Sequence, residues 1–131
     1  MTTQIICLSI GCLIPLIWSA AALPYRQRQL GRVDFKQPRV QANLLTDRGA
    51  STVGAQMNSR EALILFSVAN LCGYFAKLDP LGTWSIFSIV WVVARLVHGY
   101  FYLYEKVRLR IASFLVSAFS SFAIIVMALL N

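Results

Sequence analysis

Arg95, His98 and Tyr102 are separated by three and four residues, so a helix carries all three on one face. The run that holds them, Leu81 to Leu103, is otherwise apolar and aromatic. A charged residue at the centre of a membrane helix costs roughly 2.5–3.5 kcal/mol on insertion scales, so it is usually paired or functional. Arg95 lies 14 residues beyond Leu81, about 21 Å along a helix that rises 1.5 Å per residue. That is near one end of the span, where a long stem can also snorkel to the surface. The polar stripe as a whole favours the bundle interior over lipid. Asn58 and Glu61, three residues apart, form a second pair on one helical face. Their simpler reading is a solvated helix start, with Glu61 favoured by the helix dipole. Both groups fall at the same membrane boundary. An amide, a carboxylate, a phenol and several arginines there suit a small zwitterionic ligand with anionic groups.

Four apolar stretches must position these residues. The chain has 131 residues, 58% of them hydrophobic and 13% charged, which is too apolar for a soluble domain of this size. A bilayer core needs roughly 20 residues per helical span. Spans are expected over about 4–23, 62–78, 81–103 and 111–130, in a single domain with the all-α, four-helix membrane architecture. Pro15 should kink the first span, because it lacks a backbone donor and crowds the preceding turn. A cleaved signal peptide is the rival reading of residues 4–23, with Ala20, Ala21 and Ala22 as its cleavage site. The uncharged start Met1-Thr2-Thr3-Gln4 and the length of the stretch argue for a retained helix. Residues 24–57 read as a long loop punctuated by Pro24, Gly31, Pro38, Gly49 and Gly54, with helix extensions at both ends. The second helix is expected to start near Gln56. Asp79-Pro80 forms a short turn, and residues 104–110 a basic one.

The net charge of +7 is a topology signal. Arg26, Arg28, Arg32, Lys36, Arg39, Arg48, Arg60, Lys106, Arg108 and Arg110 flank the first and third loops, against Lys77 alone on the other side. The positive-inside rule puts both loops in the cytoplasm and both termini outside it. The basic residues alternate with apolar segments, so nucleic acid is not the expected partner; the lipid bilayer is. Cys7, Cys12 and Cys72 all lie in apolar stretches without metal-ligand spacing, so no metal is expected and the thiols read as packing residues. A small multidrug transporter needs an intramembrane carboxylate in its first span, and residues 4–23 have none.

Two motifs carry a resemblance to a known family. Ala55-Gln56-Met57-Asn58-Ser59-Arg60-Glu61 follows an Arg-Ala-(Gln/His)-x-Asn-x-x-Glu pattern, and Ala94-Arg95-Leu96-Val97-His98-Gly99-Tyr100-Phe101-Tyr102-Leu103 an Ala-Arg-x-x-His-x-x-x-Tyr-Leu pattern. With Arg110 near the start of the fourth span, the chain resembles the membrane-associated proteins in eicosanoid and glutathione metabolism, the MAPEG family, in its bacterial or prostaglandin E synthase-like branch. The resemblance implies a homotrimeric four-helix bundle with glutathione between subunits near the cytoplasmic face. Asn58, Glu61 and Gln56 would bind the peptide, Arg95 and His98 would line the site, and Tyr102 and Arg110 would serve catalysis. Arg110 would stabilise the thiolate, as a nearby cation does. The function implied is a glutathione-dependent transferase or peroxidase acting on a lipophilic electrophile. The alternative is a non-catalytic structural or accessory subunit of a larger membrane complex. One departure separates them: the arginine that opens the first motif is Gly54 here. Loss of that forked donor weakens carboxylate binding, and Gly54→Arg is expected to restore it.

Overall fold

Every regular element formed by this chain is a helix. The computed structural model describes residues 1–131, with α1 at Thr2–Ala21, α2 at Leu23–Leu30, α3 at Pro38–Ala42, α4 at Asp47–Phe75, α5 at Thr83–Leu103 and α6 at Val107–Leu130. Three helical runs are long and apolar enough to cross a membrane: Thr2–Leu30, which joins α1 to α2, Thr83–Leu103 and Val107–Leu130. The fourth long helix, α4, places Asn58, Ser59, Arg60 and Glu61 in the middle of its length.

Helix α1 runs through Pro15 without a break. Ala22 barely interrupts the path: its N–H donates to the Trp18 carbonyl at 3.1 Å, and Arg26 N–H donates to the Ala22 carbonyl at 3.1 Å. Pro24 sits in the first turn of α2, where its missing donor is harmless. Gly31 closes α2 with φ of 75°, the left-handed conformation that glycine adopts freely. The region expected as a loop is therefore helical over much of its length. The helix expected near Gln56 begins at Asp47. Gly49 and Gly54 read as punctuation in the sequence, yet both lie inside α4. A glycine costs about 1 kcal/mol in a helix interior, and packing offsets it here. Gly49 lets α4 approach α2 so closely that a Cβ there would stand 3.2 Å from the Tyr25 Cβ. Gln29 also brackets the start of α4, donating to the Thr46 carbonyl at 3.2 Å and accepting from Thr46 N–H at 3.0 Å.

The two turns between long helices share one device. Leu78 N–H reaches the Gly73 carbonyl at 3.0 Å, and Lys106 N–H reaches Phe101 at 3.0 Å. Lys77 and Glu105 supply the left-handed residues, with φ of 54° and 55°. Each is the six-to-one bond of a Schellman cap.

The core lies around α4 and α5, which pack against α1 on one side and α6 on the other. Phe66 stacks on Trp91 with ring centroids 4.0 Å apart. Trp84 Nε1 donates to Asn70 Oδ1 at 3.0 Å, and Asn70 Nδ2 to the Phe66 carbonyl at 2.8 Å, so the buried amide is satisfied at both ends. Helix α6 turns Ser113, Ser117, Ser120 and Ser121 inward. All four hydroxyls donate to carbonyls of α6 itself. Their small size lets the neighbouring backbones come close, as small residues do between membrane helices.

Candidate functional site

Helix α5 presents Arg95 and His98 to the interior, with 1% and 3% of their surface exposed. Arg95 does not snorkel. Its Nη2 donates to Asn58 Oδ1 on α4 at 2.8 Å, which ties the two motifs together. Its Nε and Nη1 are buried without a hydrogen-bond partner, and the carboxylate of Glu61 attracts it through space. A buried polar atom left unpaired costs about 1–3 kcal/mol, more where charged. Arg95 is thus held in the protein by its surroundings rather than by a closed set of bonds.

His98 Nδ1 lies 3.0 Å from the backbone carbonyl of Arg110 on α6. A carbonyl only accepts, so Nδ1 carries the hydrogen, and the neutral ring keeps Nε2 as a bare acceptor. That Nε2 is buried and has no partner. The ring meets Tyr102 edge-on at 5.7 Å. The Arg110 guanidinium covers the face of Tyr102, 4.5 Å from its centroid, within the range of a cation–π contact.

Asn58, His98, Tyr102 and Arg110 line one cavity of about 250 Å³, closed by Ile111 and Phe114. Four residues singled out in the sequence are therefore together, and Arg95 stands behind Asn58. Glu61 is exposed and lines a neighbouring cleft of about 190 Å³ with Leu65, Trp91, Ser117 and Ser121. Phe114 borders both spaces. Gln56 stands elsewhere, in a third cavity with Arg26, Arg39 and Arg60. Its distance from Asn58 is two residues, about 200° around a helix, which turns it to the other side of α4. Phe114 and Ile111 are the wall residues that sequence reasoning missed, since an apolar side chain in an apolar helix carries no signal.

The surroundings of position 54 bear on the expectation that an arginine there would restore binding. A Cβ on Gly54 would lie 2.5 Å from the Tyr102 hydroxyl oxygen and 2.8 Å from Cε1 and Cζ of its ring. The space an arginine stem would cross is already filled by Tyr102. Gly54→Arg is expected to weaken ligand binding by displacing that ring, and to strengthen it only when combined with Tyr102→Ala. Residues in direct contact give such non-additive pairs, typically by 0.5–3 kcal/mol. Calorimetry with glutathione on the two single variants and the double variant measures the coupling. Additive losses would mean that the two positions act independently.

The set combines one guanidinium, a phenol, an amide and a bare imidazole nitrogen in a recess between three helices, with the second guanidinium, of Arg95, buried behind the amide. Groups of this kind are chemically suited to anions, and a cation among them favours a thiolate over a thiol. The model of the MAPEG family matches residues 5–130 of the chain. No curated protein and no solved structure matches it.

Proposed function

Since the chain belongs to the MAPEG family, we propose that it is a glutathione-dependent membrane transferase or peroxidase acting on a lipophilic electrophile. The observation that carries this reading is the convergence of Asn58, His98, Tyr102 and Arg110 on one recess. The donor set fits glutathione: the Arg110 guanidinium and the Tyr102 hydroxyl line the recess and suit an anionic group, and the bare Nε2 of His98 matches an amide or ammonium hydrogen, while Arg95 holds the Asn58 amide from behind. Glutathione would supply the nucleophilic sulfur. Arg110 would hold that sulfur as thiolate, being the cation among the residues that line the recess. Tyr102, braced by Arg110 and His98, would direct its hydroxyl at the same atom. The exposed Phe114 faces the apolar cleft beyond, which suits a substrate arriving from lipid.

Calorimetry on the detergent-solubilised protein tests the proposal. Glutathione is expected to bind, and the thiolate absorbance of the bound peptide to disappear in Arg110→Leu. Loss of a hydrogen bond to a charged group corresponds to roughly ten- to hundredfold in affinity. Absence of any binding by the natural protein favours a second reading, a non-catalytic accessory subunit. The Tyr102 ring over Gly54 is the feature on its side.

The same proposal includes assembly and orientation. A recess of about 250 Å³ falls below the roughly 300–1,000 Å³ of small-molecule sites. A neighbouring chain would have to complete it, as a homotrimer does. We place α4 across the bilayer as a fourth span, with both termini on the non-cytoplasmic side. Native mass spectrometry should show three copies, and reporter fusions should place Asn131 opposite Asp47. A stable monomer, or both reporters on one side, would overturn this part.

A further inference from the structure

The cavity that holds Gln56 is larger than the glutathione recess and chemically different. It measures about 420 Å³ and lies between the end of α1, α2, α3 and α4. Arg26, Arg39 and Arg60 all line it, from α2, α3 and α4, together with Asn43, Gln56 and Ser19. No carboxylate is among its lining residues. Arg26 keeps only 9% of its surface exposed, and its Nε is buried without a hydrogen-bond partner.

Three cations around one recess repel each other, and a buried guanidinium without a counter-charge is costly. Arginine forks match tetrahedral oxyanions in geometry as well as charge. Arg39 is presented on a built support. Gln41, buried at the root of α3, donates to the Arg32 carbonyl at 2.6 Å and accepts from Asp34 N–H at 3.0 Å. Asp34 in turn accepts from the N–H groups of Lys36 and Gln37 at 2.8 and 3.1 Å. Those bonds hold its carboxyl below the usual carboxylate range and spend its charge on the turn rather than on the arginines. The segment from Arg32 to Ala42 is thereby pinned with Arg39 at the cavity.

We propose that the Arg26–Arg39–Arg60 cavity is a phosphate-binding site, separate from the glutathione recess. Its ligand is a phosphate monoester or diester group, either the headgroup of an anionic phospholipid or a free phosphate. Met57 and Val53 line the wall beside the cations, which gives an acyl chain an apolar surface to follow. Polar and apolar walls in one cavity favour the lipid source.

The test uses the full chain in delipidated detergent micelles. In the first arm, native mass spectrometry follows retention of phosphatidylglycerol against phosphatidylcholine. In the second arm, inorganic phosphate is titrated against chloride at matched ionic strength, and thermal unfolding is followed. Preferential retention of phosphatidylglycerol, reduced roughly ten- to hundredfold in Arg39→Gln, is expected and assigns the lipid source. Stabilisation by inorganic phosphate without lipid preference, lost in Arg39→Gln, supports the site and assigns the free anion. Arg39 and Arg60 are exposed, so Arg39→Gln and Arg60→Gln should fold normally, whereas Arg26→Gln removes a buried group and serves only as a third variant. Binding of neither probe, or binding untouched by Arg39→Gln and Arg60→Gln, overturns the proposal. Displacement of the bound phosphate group by glutathione would also overturn it, since the cavity would then belong to the other ligand. Glutathione affinity unchanged in Arg39→Gln keeps the two sites distinct.

Discussion

Replacing Arg95 by methionine is expected to weaken glutathione binding roughly tenfold or more, through the Asn58 amide that it holds, while leaving the unfolding temperature in detergent unchanged or higher. The side chain is 1% exposed and closes one hydrogen bond, to Asn58, with two further nitrogens unpartnered. A guanidinium in that state is a burden on the fold. Replacing buried charges by apolar groups of similar volume is often neutral or stabilising, by about 1–4 kcal/mol. Methionine keeps the length and fills irregular space. Asn58 loses its donor but borders the recess, where water can replace it. Water does not fix the orientation of the amide as Arg95 does, so the wall that Asn58 gives the recess is loosened and ligand binding is expected to fall. The measurement is thermal unfolding with and without glutathione. The natural protein should be stabilised by the peptide, as any ligand specific for the folded state does, and the variant should respond less. A collapse of the variant's unfolding temperature would make Arg95 a structural residue. Undiminished binding would remove it from the site.

The second large effect is expected at Gly99, directly after His98. Helix α5 meets α1 there. A Cβ on Gly99 would fall into the Trp18 indole, 2.8 Å from both Cε2 and Nε1. Those are ring atoms, with no flexible end to swing aside. Overpacking a well-filled site costs typically 1–3 kcal/mol, and more for a large insertion. Gly99→Ala should therefore lower the unfolding temperature by several degrees, and Gly99→Leu should prevent accumulation of folded protein. Trp18→Ala in the same chain should recover Gly99→Ala, because the indole is the obstacle. Size-exclusion profiles and unfolding temperatures in detergent provide the comparison. A normally folded Gly99→Leu protein would show that α1 and α5 do not pack this closely. Since His98 is the adjacent residue, any shift of α5 away from α1 also misplaces the imidazole.

What was legible in the sequence followed from periodicity. Arg95, His98 and Tyr102 recur at helical spacing, and that alone indicated one face and an interior location. The apolar stretches gave α1, α5 and α6 for the same reason, since length and hydropathy determine them. The start of α4 was not legible. Gly49 and Gly54 break helices by intrinsic preference, and only their contacts with Tyr25 and Tyr102 reverse that preference. The separation of Gln56 from Asn58 was available from helical geometry but was obscured by the motif that contains both. The seat of Tyr102 over Gly54 could not be read at all. It joins residues 48 positions apart in the chain, and no local rule links a glycine to a distant phenol. For the same reason the three-arginine cavity stayed hidden: its cations come from three helices, two of them expected as loop.

The inward serines of α6 have a mechanical consequence. Their hydroxyls are spent on α6 carbonyls, so below Ser113 no polar bond ties α6 to α5. The seam there is held by shape. At its upper end stands the single firm tie, His98 to the Arg110 carbonyl. Helix α6 is thus held by polar bonds only near its two ends, by the His98 imidazole that lines the recess and by Asn131 Nδ2, which donates to the Ala76 carbonyl beyond α4 at 2.7 Å. Between those ends a small bow of the helix breaks no polar bond with α5 and leaves Arg110 almost still. Ser117 and Ser121, on the wall of the apolar cleft, lie in this middle stretch. The width of that cleft is in this way separable from the geometry that holds the charged groups.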